Sequence, residues 1–222
     1  PQYWAIPLSG TDSLMIPMIE KCTTKSWETS LYEPQKLYYN LMGEKILTDK
    51  NVKSAYYMAK HKKSCDSPAW DGMTRTILVD GMEPEHAWSL IRYHVLHGPS
   101  GCVKRFDIPK SNGKTRPISI YPLLDRVAQW CIMEPLRKAC GPLLSPINHA
   151  FLKGKSCKTA FEAFPPAGEA SYVICGDIHS FFDTVSHSLV RACLWSAGIR
   201  DSQLLHTINV TLKTPYKSPK QP

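Results

Sequence analysis

The stretch that decides the fold reads Ser171-Tyr172-Val173-Ile174-Cys175-Gly176-Asp177. Its compact apolar run predicts a buried strand, and Asp177 follows directly after that strand. A carboxylate at a strand end is held rigidly and stays accessible to a ligand or a metal ion. On strand position alone, capping of a turn is the commoner role of such an aspartate. Asp183, further along, is a second candidate ligand, for which we expect a structural hydrogen-bonding role.

Two predicted strands lie upstream, at residues 103–108 and 116–120. The pair Asn112-Gly113 between them supplies the positive φ that a tight hairpin turn requires. The sequence therefore predicts a β-hairpin with a polar, projecting tip.

Three basic residues crowd this tip: Lys110, Lys114 and Arg116. Binding of a nucleoside triphosphate needs such concentrated positive charge on preorganised donors. Arg116 can fork two phosphate oxygens, whereas Lys110 acts as a point charge. Lys114, at the turn, is the one most typical of an ordinary solvated residue.

Helical patterns account for most of the remaining chain. Residues 33–63 predict two helices, with Asp49 as a cap, and residues 65–74 have loop composition. Further helices are predicted from Pro84 to Gly98, from near Asp125, after Ser156 and after the cap Ser186. Helices, a hairpin, a long helix and a strand feeding a helix together indicate the α+β class.

Amino-acid composition and net charge indicate which classes of binding partner the chain could have. The 222 residues carry a formal charge of +8 with a pI near 9.1, which favours a polyanionic partner such as nucleic acid. The eight cysteines form no Cys-x-x-Cys pair, so a structural metal is not expected. No secretory signal begins the chain and no apolar run approaches the roughly 18 residues of a membrane span. We therefore expect no membrane partner, reduced thiols and a cytoplasmic location.

Residues 177–185, Asp-Ile-His-Ser-Phe-Phe-Asp-Thr-Val, resemble the first catalytic motif of reverse transcriptases, in the form found in group II intron maturases. Residues 108–118 are similar to the fingers hairpin of that family. Residues 125–129 and 134–136 resemble the helix that follows it. The three motifs occur in the family's order, and that combination is far more specific than any one of them.

Two further segments refine this resemblance. Residues 70–74, Trp-Asp-Gly-Met-Thr, look like an extra motif that intron-type and non-long-terminal-repeat enzymes carry and retroviral enzymes lack. Residues 149–156 resemble the family's Tyr-Gly-Phe-Arg-Pro-Gly-Arg-Ser stretch, but Leu152 replaces the usual arginine, which puts an RNA contact there in doubt. The resemblance, over about residues 67–212, implies reverse-transcriptase fingers (66–160) and a partial palm (161–222), preceded by an amino-terminal helical extension (1–65).

The resemblance also assigns roles. Asp177 would be the catalytic residue and a ligand of two Mg²⁺ ions, with the backbone carbonyl of Ile178 completing one metal's shell. Phe182 would stack beneath the incoming sugar and exclude a 2′-hydroxyl, although core packing is the commoner role of a strand aromatic. The partners implied are an RNA template, a DNA or RNA primer, deoxynucleoside triphosphates and, for a maturase, its own intron RNA.

Arg126, Lys153 and Lys155 are candidates for RNA backbone contacts, because grip on RNA without sequence preference is mostly phosphate and 2′-hydroxyl contact. The histidines show no acid–base partner that can be identified from spacing.

The family's Pro-Gln-Gly and Tyr-x-Asp-Asp elements do not occur in this sequence, and residues 216–222 are basic and loop-like. Two-metal chemistry needs that second carboxylate cluster, so we expect the chain alone not to polymerise. Two alternatives stay open: a non-catalytic module that binds RNA or forms a homodimer, and a reverse transcriptase adapted to defence or CRISPR machinery.

Overall fold

The computed structural model describes residues 36–111, 113–164, 175–178 and 181–218, without the side chains of Phe182 and Asp183. The helices are α1 (Asp49–His61), α2 (Arg75–Val79), α3 (Pro84–His97), α4 (Leu123–Cys140), α5 (Cys157–Glu162), α6 (Phe181–Thr184), α7 (His187–Ser196) and α8 (Ser202–Leu212). A π-helical turn (Met42–Ile46) and 3₁₀ turns (Lys63–Asp66 and Gly141–Leu143) join them. The strands are β1 (Val103–Pro109), β2 (Thr115–Ile120) and β3 (Tyr216–Lys217). The α+β class is confirmed.

Helix α1 is capped by Thr48 and not by Asp49, the residue that the sequence predicted as its cap. The Thr48 hydroxyl accepts a hydrogen bond from the Asn51 amide, and Asp49 is the first helical residue. The prediction that Asp49 caps the helix is therefore wrong. Thr48 has the extended backbone and side-chain oxygen that a cap requires, while Asp49 places a negative charge in the first turn, where it favours the helix dipole.

Helix α4 is the central helix of the hydrophobic core. Its buried face, which includes Leu123, Val127 and Cys131, recurs at helical spacing and packs against α1 and α3. Pro135 lies inside this helix and is itself buried. Burial of this apolar stripe is the main stabilising contribution of the fold. The fully enclosed core side chains include Ile46, Val52, Leu78, Ile91, Leu123, Val127, Ile199 and Leu204.

The predicted hairpin is confirmed. Strands β1 and β2 pair antiparallel, with Phe106 opposite Ile118 and Ile108 opposite Arg116. The chain reverses through a turn in which the Gly113 amide donates to the Lys110 carbonyl, and Gly113 has a φ of 76°. A three-residue loop closed by a glycine in the left-handed region is a common hairpin geometry.

The carboxyl-terminal stretch contributes a strand that composition did not predict. Tyr216 and Lys217 pair in parallel with Val103 and Lys104, so the sheet order is β2-β1-β3. The prediction of a loop is wrong for these two residues, because a neighbouring strand offers them hydrogen-bond partners that no local pattern signals. Helix α8, which precedes them, was not predicted either.

The first described residues contact the chain just before α8. Tyr38 forms a parallel bridge with Ile199, and the Met42 amide donates to the Asp201 carboxylate over 2.7 Å. The first described residues therefore pack on the carboxyl-terminal helices, across the boundaries expected at residues 65 and 160. Within the described part of the chain, no helix is both long and apolar enough to cross a membrane.

The remaining predictions have mixed outcomes. Helix α5 begins after Ser156, whose hydroxyl accepts from the Thr159 amide in a capping box. Helix α7 begins after Ser186 as expected, but the Ser186 hydroxyl makes no capping hydrogen bond to the backbone of that helix. Residues 171–174 of the predicted catalytic strand lie outside the described residues. Cys175 carries no strand assignment and begins an irregular, exposed stretch that runs to Ile178, so the described end of that strand is not confirmed.

Candidate functional site

The hairpin tip is held in shape by its own backbone. The Lys110 amide donates to the Lys114 carbonyl over 2.7 Å, which continues the β1–β2 pairing by one further residue pair. The Gly113 amide closes the turn onto the Lys110 carbonyl over 3.1 Å. Both of these hydrogen bonds are made by main-chain groups, so the backbone itself fixes the shape of the turn.

The register brings the three basic residues of the tip together. Side chains opposite one another across a strand pair share a face, and faces alternate along each strand. Arg116 lies opposite Ile108, and Lys110 lies opposite Lys114. Lys110, Lys114 and Arg116 therefore belong to one face of the hairpin, and all three are exposed. We call this set the basic tip.

Cation–aromatic contacts flank the base of the hairpin. The Lys104 ammonium lies 5.5 Å from the centre of the Trp70 ring, and the Arg105 guanidinium lies 4.6 Å from that of Tyr216. Lys104 shares the face of the basic tip by alternation along β1, whereas Arg105 lies on the opposite face. Trp70 comes from the 70–74 segment, which places that segment beside the hairpin.

Asp177 and Ile178 lie in an exposed irregular stretch, and the Ile178 side chain is 64% exposed. Mg²⁺ in proteins is commonly bound by one or two carboxylates, and phosphate oxygens and water complete its coordination shell. Among the described residues, no three His, Cys, Asp or Glu side chains cluster as metal ligands would. The Asp177 carboxylate, at an exposed position, has the donor chemistry that suits Mg²⁺. The Phe182 side chain lies outside the described residues.

Arg126 makes structural contacts that the sequence did not suggest. Its two terminal nitrogens donate to the carbonyls of Ser64 and Ser67 over 2.8 and 3.1 Å. The guanidinium thereby fastens the 3₁₀ turn Lys63–Asp66 to α4. Burial raises the pKa of the Cys65 thiol within this turn, and the positive charge of Arg126 opposes part of that rise.

Lys153 and Lys155 lie in the loop before α5, and both are exposed. The Lys155 ammonium is 3.3 Å from the Pro146 carbonyl, and the Lys155 amide donates to the Leu152 carbonyl. Phe151, in the same loop, has a φ of 58° and is 90% exposed. The loop is thus tied locally while its lysines face solvent.

A buried His–Asp pair could not be predicted from the sequence. His94 Nδ1 lies 2.5 Å from Asp125 Oδ1, and the two residues are 8% and 2% exposed. Spacing in the sequence did not identify Asp125 as the acidic partner of His94. The residues belong to different helices and are 31 positions apart, so no spacing rule could have joined them.

One protein family matches just over half of the chain. The model of the family "Reverse transcriptase (RNA-dependent DNA polymerase)" covers residues 108–220. This region includes the basic tip, α4 and Asp177.

Similar curated proteins include Protein YkfC of Escherichia coli, which is 28% identical over 69% of this chain and 42% of its own length. An uncharacterized 91 kDa protein in a cob intron of Schizosaccharomyces pombe is 30% identical over 51% of the chain and 14% of its own length. The group II intron-encoded protein LtrA of Lactococcus lactis is 28% identical over 51% of the chain and 19% of its own length. The chain thus spans less than half the length of each of these relatives. The chain belongs to the reverse transcriptase family and is similar to its group II intron-encoded members.

Proposed function

We propose that this chain forms part of an RNA-directed DNA polymerase in which the basic tip binds the triphosphate of an incoming deoxynucleotide. The observation that carries the proposal is the shared face of Lys110, Lys114 and Arg116 on a hairpin within the family-matched region. A triphosphate carries several negative charges, and donors fixed by a rigid turn bind it without a large ordering cost. Arg116 supplies the planar fork, and the two lysines supply point charges.

Asp177 and the Ile178 carbonyl are the groups we propose as ligands of Mg²⁺, with further ligands supplied by the triphosphate and by carboxylates elsewhere in a complete polymerase. When bound, the metal neutralises phosphate charge during nucleotidyl transfer. For Phe182 we propose contact with the sugar of the incoming nucleotide, and thereby selection of deoxynucleotides over ribonucleotides.

Lys153 and Lys155 are proposed contacts to the RNA phosphate backbone, since they are exposed on a locally tied loop. Arg126 is proposed to support RNA binding through the turn that it holds, because its terminal nitrogens already donate to Ser64 and Ser67. An RNA template and a DNA or RNA primer are the proposed partners, and the chain's own intron RNA is proposed from the intron-encoded relatives.

Titration of dATP into the purified chain tests the basic tip. We expect Arg116→Ala to weaken binding about tenfold and Arg116→Lys to weaken it less, because lysine keeps the charge but loses the fork. Lys50→Ala, an exposed charge loss on α1, is the matched control and should change affinity less than about twofold. Equal weakening by Arg116→Ala and Lys50→Ala would show that only net charge matters.

Catalysis requires a second experiment. In a longer protein that carries this chain, Asp177→Asn should abolish primer extension on an RNA template, because the amide cannot replace the charged metal ligand. Extension at the normal rate would refute the proposed role of Asp177.

A further inference from the structure

Three helices that directly precede or follow strands of the sheet meet at one point in the core. Helix α3 ends at His97 before β1, α4 begins at Leu123 after β2, and α8 ends at Leu212 before β3. Their meeting point therefore fixes the base of the hairpin that carries the basic tip. We call it the helix junction.

The helix junction is unusually polar for a protein interior. His94 of α3 and Asp125 of α4 form the buried pair described above, and Thr207 of α8 is 1% exposed. The Thr207 hydroxyl donates to the Leu96 carbonyl over 3.2 Å. The side-chain amide nitrogen of Gln203 donates to the same carbonyl over 2.7 Å. Side chains of α8 thus complete the last turn of α3, where helical carbonyls lack intrahelical partners.

Two polar atoms at the junction are shielded from solvent and bond to nothing within the described part of the chain. They are Asp125 Oδ2 and Gln129 Nε2, which lie one helical turn apart on α4. An unpaired buried carboxylate oxygen or amide destabilises the folded state, so native structures nearly always satisfy such groups. One atom is an acceptor and the other a donor.

A small cavity is lined by residues of α4, including Asp125 and Gln129, and by residues of α8. It has a volume of about 10 Å³, and its walls include Asp125, Gln129, Thr207 and Thr211. A space of this size holds about one water molecule, which needs two to four polar partners. A water there can accept from Gln129 Nε2, donate to Asp125 Oδ2 and donate to a threonine hydroxyl.

We propose that this cavity is a buried water site, in which one water molecule bridges Asp125 and Gln129 and links α4 to α8. The water completes the hydrogen bonding of a carboxylate whose other oxygen is held by His94. Helices α3 and α8 lead into β1 and β3, and α4 follows β2. The site therefore also makes Gln129 a positioning residue for the hairpin. This second consequence rests on the proposed function, whereas the water site itself does not.

A crystal structure of the unaltered chain, at a resolution where ordered water is visible, tests the site directly. We expect one peak in the cavity at hydrogen-bonding distances of about 2.7–3.2 Å from both atoms. An empty, well-ordered cavity would overturn the proposal. Contacts of about 2.3–2.6 Å would overturn it too, because they indicate a metal cation.

Gln129→Met tests positioning, since it keeps side-chain length and removes the donor. Thr211→Val removes a hydroxyl from the cavity wall with little change of shape and serves as a second variant. We expect Gln129→Met to weaken dATP binding about fivefold, because a looser support misplaces the tip, and to leave RNA affinity within about twofold. The control is Gln203→Met, which loses a hydrogen bond at the junction but not in the cavity.

The outcomes separate the two proposals. If the unaltered chain binds no dATP, the proposed function is refuted. The electron density in the cavity then still tests the water site independently. If dATP binds and both cavity variants match Gln203→Met in affinity, the positioning role is refuted. An equal loss of dATP and RNA binding in Gln129→Met would also refute it, because general destabilisation would then suffice.

Discussion

The side-chain amide of Asn51 donates a 2.9 Å hydrogen bond to the carbonyl of Cys131, 80 residues away. In a regular helix the carbonyl of residue 131 accepts from the amide of residue 135. Position 135 is a proline, which has no amide hydrogen. Asn51 therefore supplies the partner that the proline withholds, and its second amide hydrogen binds the Ile46 carbonyl over 2.8 Å.

Asn51→Ala should lower the free energy of unfolding by about 2–3 kcal/mol, because two carbonyls lose their donor. The loss should be about 1 kcal/mol smaller in a Pro135→Ala background, where the new amide can pair with the Cys131 carbonyl. Urea denaturation of the four proteins measures this coupling. Ser54→Ala, an exposed change on α1, is the control. Strict additivity of the two substitutions would contradict the compensation.

Asp201 joins the first described residues to the start of α8 through both carboxylate oxygens. Oδ1 accepts from the Leu204 amide over 3.0 Å and caps α8, while Oδ2 accepts from the Met42 amide over 2.7 Å. Asp201→Ala should cost about 3 kcal/mol, as a cap and a buried hydrogen bond are removed together. Asp201→Asn should cost less because one acceptor oxygen remains. Chemical denaturation measures both, with exposed Asp80→Ala as the control, and equal losses for Asp201→Asn and Asp201→Ala would argue against the second bond.

Local chemistry made much of the fold predictable. The hairpin follows from strand propensity around Gly113, and its register then places Lys110, Lys114 and Arg116 on one face. Helices α3 and α5 follow from Pro84 and from the cap at Ser156. In each case the deciding residues lie within a few positions of one another, where spacing rules apply.

The remaining features depend on distant partners. Strand β3 forms because residue 216 meets residue 103, and the cavity at the helix junction needs α3, α4 and α8 together. His94 and Asp125 each look ordinary in sequence and become a pair only through helix packing. The assignment of Asp177 rests on a family pattern, since position in the chain alone favours a turn cap.

Gly198 should tolerate no side chain. Its φ is 89°, and a Cβ there would overlap the backbone carbonyl of Lys36. Gly72 has a similar φ of 70° but open space around it. Gly72→Ala should therefore cost about 1 kcal/mol from backbone strain alone, and Gly198→Ala about 2 kcal/mol more from the steric overlap. Thermal unfolding of both variants separates the two costs, and equal losses would refute the steric part.

Lys153→Ala and Lys155→Ala should each weaken binding of single-stranded RNA and flatten its salt dependence. Removing one lysine–phosphate interaction lowers the slope of log affinity against log salt by about 0.7 for a single strand. Filter binding across a series of salt concentrations measures the slope. Lys50→Ala, exposed on α1, should leave it unchanged, and a slope that is unaltered in both loop variants would remove these lysines from the RNA surface.

Cys131 should make the fold sensitive to alkaline pH. The thiol is fully buried, and burial raises its pKa from 9.0 to about 12. Between these values the folded state keeps a proton that the unfolded state releases, so stability present below pH 9 is lost as the pH rises toward 12. At about pH 10.5 the free energy of unfolding should be lower by about 2 kcal/mol, and Cys131→Ala should remove that part of the decline.

Urea denaturation of both proteins from pH 8 upward measures this difference. In a separate measurement at about pH 8, exposed Cys157 should react with a thiol reagent far faster than Cys131. Parallel pH profiles for the two proteins would show that Cys131 ionises as readily in the folded state as in the unfolded one.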